Sequence, residues 1–253
     1  MSLILVAHGT RRPGGVAMIG DLAAQVSTLL GGRIQVAFVD VLGPTPSEVL
    51  SSCATRPAIV VPAFLSRGYH VRTDLPAHVG ASGHPHVTVT PALGPSREIA
   101  VLLAEQLVKS GWLPGDSVIL AAAGTSDPTA RADLRTAAAL LSSLTGSRVD
   151  LGFAATGYPD IRTAVTDARR RGANRVVVAS YLLADGLFQE RLHACRADLV
   201  TQPLGTHPGL ARLVANRFRS APRHRSGVRR HHPLPNCVDH AALLPSHADV
   251  GNT

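Results

Sequence analysis

The sequence predicts an α/β protein of two similar halves, each a doubly wound parallel sheet, with a cleft between them. Two observations predict it. Short apolar runs rich in Val, Ile and Leu alternate with segments of helical period, and the features of the first half recur in the same order in the second. Continuous apolar runs, rather than alternating ones, suit strands covered on both faces, and a βαβα alternation builds parallel sheets.

The apolar runs fall at 3–7, 34–39, 58–65 and 87–93, then at 118–122, 149–154, 176–183 and 199–204. Helical periodicity occupies 15–30, 97–108, 130–144, 160–171 and 209–218. The repeat is visible residue by residue. The segment from Gly32 to Phe38 answers that from Ser147 to Phe153, His8-Gly9-Thr10 answers Ala123-Gly124-Thr125, and Pro44 answers Pro159, all 115 positions apart. Phe64-Leu65 meets Tyr181-Leu182 at a shift of 117, and Leu93-Gly94 meets Leu204-Gly205 at 111. Matches in one order at a nearly constant shift indicate an internal duplication. The turn-rich stretch from Trp112 to Asp116 divides the chain into halves 1–113 and 114–220. Residues 221–253 form a basic, His-rich tail without sustained period, expected to be disordered.

Composition excludes several classes. The three cysteines, Cys53, Cys195 and Cys237, form neither a disulfide framework nor a CxxC site. No apolar stretch is long enough to span a bilayer. Met1 leads directly into the short run LILVA, without the features of a secretory signal, so the chain is expected in the cytoplasm, as a monomer. The net charge of +8 rests almost wholly on arginine, and aromatic residues are not interleaved with it, which argues against nucleic acid as the partner. A positive field also attracts a polyanionic small molecule.

The halves differ where α/β sheets bind ligands, beyond the carboxyl ends of the strands. His8 follows the first strand, Asp40 the second, and His70 lies in the loop after the third; their partners in the repeat are Ala123, Ala155 and Leu187. Singly, each polar residue has a structural explanation, such as capping a helix or anchoring a turn. Together, two imidazoles and a carboxylate suit a transiently bound divalent metal, and imidazole also accepts protons near neutrality. Porphyrin-type metallation needs both capacities, because two pyrrole protons leave as the metal enters.

Leu5-Val6-Ala7-His8-Gly9-Thr10 resembles the opening strand and loop of the sirohydrochlorin chelatases of the CbiX and SirB type. The stretch from Val36 to Asp40 is similar to a second family segment, with Asp where Glu is usual. The stretch from Pro62 to Pro76 is similar to the family pattern "P.FL..G.H...DIP", and Leu93-Gly94-Pro95 to its Leu-Gly step. The resemblance covers residues 1 to about 220 in the long, two-half form. It implies an ATP-independent enzyme that inserts Fe²⁺ or Co²⁺ into sirohydrochlorin or a related tetrapyrrole, for siroheme or cobalamin, with no cofactor beyond the substrate metal. By the same resemblance His8 and His70 bind metal and accept protons, and Asp40 assists. The macrocycle's carboxylates make Arg11, Arg12, Arg67 and Arg72, together with Thr10, candidates for substrate binding. The alternative is a tetrapyrrole or metal carrier that binds without inserting.

Overall fold

A computed structural model describes residues 1–53 and 55–222, so most of the expected tail lies outside the described residues. All eight expected strands form: β1 (Ser2–Ala7), β2 (Ile34–Phe38), β3 (Ala58–Pro62), β4 (Val87–Val89), β5 (Ser117–Ala122), β6 (Val149–Phe153), β7 (Val176–Tyr181) and β8 (Leu199–Val200). They make two parallel sheets of the same topology, ordered β2-β1-β3-β4 and β6-β5-β7-β8. Register repeats as well: Leu5 lies opposite Val36, and 115 positions later Leu120 lies opposite Leu151.

Five long helices sit where periodicity places them: α1 (Pro13–Leu30), α4 (Arg97–Lys109), α5 (Pro128–Thr145), α6 (Ile161–Arg170) and α8 (Pro208–Ser220). Three more, α2 (Pro46–Ser52), α3 (Leu75–Ala81) and α7 (Leu187–His193), span seven residues each, too few turns for an apolar stripe to register in the sequence.

Side-chain alternation along the central strands explains why their apolar runs are continuous. Leu5 and Ala7 face one way, into a core shared by both halves, while Ile4 and Val6 face the other, toward α2 and α3. The second sheet does the same, with Leu120 and Ala122 turned to the shared core and Ile119 and Ala121 toward α6 and α7. The result is five layers: outer helices, sheet, a common layer of α1, α8, α4 and α5, sheet, outer helices.

Within the common layer the closing helices are exchanged. Helix α4, at the end of the first half, packs on α5 and β7 of the second. Helix α8, at the end of the second half, packs on α1 and β3 of the first. The Leu-Gly steps that precede these helices make the crossing possible. A Cβ on Gly94 would stand 2.5 Å from the Leu65 carbonyl oxygen and 2.6 Å from the Tyr181 hydroxyl. A Cβ on Gly205 would stand 2.1 Å from the Leu183 carbonyl oxygen. Tyr181 donates a hydrogen bond of 2.7 Å to that same Leu65 carbonyl, from one half to the other, and burial pushes its hydroxyl pKa well above the usual tyrosine range.

Candidate metal centre

His8 ends up beside Asp40 because two backbone segments touch. The amides of Val39 and Asp40 donate to the carbonyls of Ala7 and His8, at 3.0 and 3.1 Å, continuing the β1–β2 ladder one step past the strands. Gly9 then turns away at φ 96°, and a Cβ there would lie 2.1 Å from the Asp40 carbonyl oxygen. Only glycine allows this approach. Asp40 is followed by Val41 at φ 67°, and one Asp40 carboxylate oxygen accepts the Val41 amide at 2.7 Å. The other oxygen is left to face solvent.

His70 arrives from a different kind of element. The sequence places it in a loop; the structure places it at the start of a π-helical turn, His70–Asp74, that runs into α3. Pro76 lacks the amide that an α-helix would direct to the carbonyl of Arg72, and the chain closes the wider turn instead, with the Leu75 amide on the His70 carbonyl. The turn sets His70 and Asp74 on one face, and His70 Nδ1 donates to Asp74 Oδ2 at 2.6 Å.

The three predicted ligands therefore converge. One donor atom from each of His8, Asp40 and His70 lies within 4.8 Å of the others, and the two imidazole rings meet edge to face with centroids 4.4 Å apart. A metal with bonds near 2.1 Å spans donors up to about 4.2 Å apart, so small side-chain rotations close the set around an ion. The tautomers suit that task. His8 Nδ1 donates to the Gly9 carbonyl at 3.0 Å and His70 Nδ1 to Asp74, leaving Nε2 of each ring as the lone-pair donor. A carboxylate behind a ligating imidazole fixes its orientation and raises its basicity. Asp74 is the residue of this cluster that sequence reasoning left without a role. Its i,i+4 spacing from His70 was the available signal, hidden because the segment did not read as helical.

The predicted arginines divide. Arg12, Arg67 and Arg72 all reach the second half and meet carboxylates there. Arg12 pairs with Glu190 of α7 at 2.5 Å, and Arg72 with Asp127 at the N-cap of α5, also 2.5 Å. The hydrogen bond from Arg72 holds the Asp127 carboxyl below the usual carboxylate range. Arg67 grips Asp133 through Nε, Nη2 and its own backbone amide. The three arginines are about equally exposed, and the pairs differ in their carboxylates: Asp133 is only 2% exposed, which makes its pair a fixed strut, Asp127 is 14% exposed and Glu190 is open to solvent. Arg11 is exposed, and Thr10 accepts the Arg12 amide at 3.2 Å.

Fold and site together define a two-lobed α/β protein with two imidazoles and a carboxylate gathered beyond the strand ends of one lobe. The CbiX family model matches the chain twice, over residues 2–110 and 117–221, and the chain belongs to that family. It is 26% identical over 239 residues to a sirohydrochlorin ferrochelatase of Priestia megaterium, covering 87% of this chain and 90% of the relative. It is also 26% identical to a sirohydrochlorin cobaltochelatase of the same organism, covering 86% and 74%. Among solved structures, SirB from Bacillus subtilis with Fe³⁺ superposes with a TM-score of 0.74 at 21% identity, over 86% of this chain and 94% of that one. Among the described residues, no helix is long and apolar enough to cross a membrane.

Proposed function

We propose that this protein inserts a divalent metal, Fe²⁺ or Co²⁺, into sirohydrochlorin without a further cofactor. The observation that carries this is the convergence of His8, Asp40 and His70 on one point, next to a lobe that retains the backbone and lacks all three side chains. Both kinds of named relative, the ferrochelatase and the cobaltochelatase, act on that macrocycle.

The chemistry follows from the two free Nε2 atoms. The hydrated substrate metal is captured by His8 and His70, with the Asp40 carboxylate lowering the cost of holding a cation at an exposed position. As pyrrole nitrogens replace the imidazoles on the metal, each released Nε2 accepts one pyrrole proton. Asp74 stabilises the imidazolium that forms on His70. Charge balances: the metal brings two positive charges, and two protons leave the macrocycle for the two rings.

The macrocycle lies between the lobes, and its carboxylates displace Glu190 from Arg12 and Asp127 from Arg72. The two pairs are exchangeable latches: Arg12–Glu190 is exposed on both sides and contributes only about 0–1 kcal/mol, and Asp127, once released by Arg72, keeps the Thr129 and Ala130 amides as partners. Arg11 and Thr10 extend the same polar edge. The Arg67–Asp133 strut stays closed and keeps the lobes in register.

Anaerobic incubation of the purified protein with excess sirohydrochlorin and each metal, followed by absorbance, tests the proposal. Many equivalents of metallated product per chain are expected. Arrest at one equivalent would mark a carrier instead.

A further inference from the structure

A groove of about 790 Å³ lies away from His8 and His70, along the outer edge of β6 between α5 and α6. Strand β6 is the edge strand of its sheet, bridged on its outer side by Phe153 to Asp160, and the half-buried side chains of Val149 and Leu151 form the floor. Four arginines line it. Arg148 and Arg171 are both engaged by Asp150 at one end. At the other end Arg131 and Arg135, one turn apart on α5, have no carboxylate partner among the described residues; Arg131 instead stands over the Phe153 ring at 5.8 Å. Tyr158 closes that end with its side chain 74% exposed.

The duplication provides an internal control. At the shift of 115 that relates α5 to α1 and β6 to β2, Arg131 corresponds to Val16, Arg135 to Gly20 and Tyr158 to Gly43, while Phe153 keeps its counterpart Phe38. The scaffold needs the phenylalanine in both halves. It needs the two arginines and the tyrosine in neither. Unpaired cations one helical turn apart bind carboxylates, and an exposed aromatic ring above an apolar floor suits a flat organic body.

We infer that this groove is a second ligand site for a planar organic anion bearing several carboxylates, with Arg131 and Arg135 holding the carboxylates and Tyr158 the flat face. The site does not depend on the metal centre, and its occupant undergoes no reaction there. The test uses uroporphyrin I, a planar tetrapyrrole with eight carboxylates, titrated into the full-length wild-type protein, R131Q/R135Q and R12Q/R72Q by calorimetry. Wild type is expected to bind two equivalents. R131Q/R135Q is expected to bind one, with its melting temperature and metal-insertion rate unchanged. R12Q/R72Q should keep the equivalent that R131Q/R135Q loses. Binding by R131Q/R135Q with wild-type stoichiometry and affinities within twofold would overturn the inference and leave the chelatase proposal standing. A single wild-type equivalent that R131Q/R135Q loses would instead support the groove and count against binding between the lobes.

Discussion

The corner that holds His8 and Asp40 and the corresponding corner of the second half have nearly the same backbone and different chemistry. In the first half the Asp40 amide donates to the His8 carbonyl at 3.1 Å; in the second the Ala155 amide donates to the Ala123 carbonyl at 2.8 Å. Gly9 and Gly124 both sit at positive φ, and a Cβ on either would stand 2.1 Å from a carbonyl oxygen of the facing loop, that of Asp40 or Thr156. The Phe38 amide meets the Pro44 carbonyl as Phe153 meets Pro159. The side chains that project from the corner differ, and the facing loop differs by one step, since Gly9 meets the Asp40 carbonyl and Gly124 that of Thr156. Alanine at both positions of the second half closes the same corner without an imidazole or a carboxylate, although in the first half Asp40 also accepts the Val41 amide.

Substitutions in the two corners separate chemistry from scaffold. The largest effect is expected from His70→Ala, which removes a metal ligand and a proton acceptor together: insertion should fall by about 10²–10⁴-fold, a typical contribution of positioned acid–base groups. Asp74→Ala should lower metal affinity or turnover by about 10–100-fold through misorientation of the imidazole. A loss confined to the metal's KM would assign Asp74 to ligand positioning, and a loss in kcat to proton acceptance. Rebuilding the missing set with A123H/A155D/L187H should add a weaker second equivalent of bound Co²⁺, read by its visible absorption. Failure to bind would mean that the π-helical turn under His70, in whose place the second half has the α-helical start of α7, is indispensable. The smallest effect on chemistry is expected from Arg67→Gln, which leaves the buried Asp133 carboxylate short of partners and should cost about 1.5–3 kcal/mol of stability. Denaturant unfolding would measure that cost, and the rate per folded molecule should hold.

Much of this architecture was legible in the sequence because it is written in long-wavelength patterns. Eight apolar runs and a nearly constant repeat shift located both sheets, and the asymmetry of the repeat picked out three residues, His8, Asp40 and His70, that the fold brings together. The exchange of α4 and α8 between lobes left no such trace, since an apolar helix face does not say which sheet it will cover. The π turn under His70 was missed for a related reason: five residues ahead of a proline carry no period. The roles of Arg12, Arg67 and Arg72 depend on Glu190, Asp133 and Asp127, which are 55 to 178 positions away in the chain. A basic residue near a predicted site reads as a substrate ligand until its partner across the interface is known.

Whether the two imidazoles supply chemistry and not structure is tested by the double variant H8A/H70A, on one preparation with two readings. Thermal unfolding within about 1 kcal/mol of wild type, as for changes at partly exposed positions, is expected together with loss of metal insertion into sirohydrochlorin, and this pairing assigns the imidazoles to chemistry. Insertion close to the wild-type rate, or an unfolded variant, would contradict it.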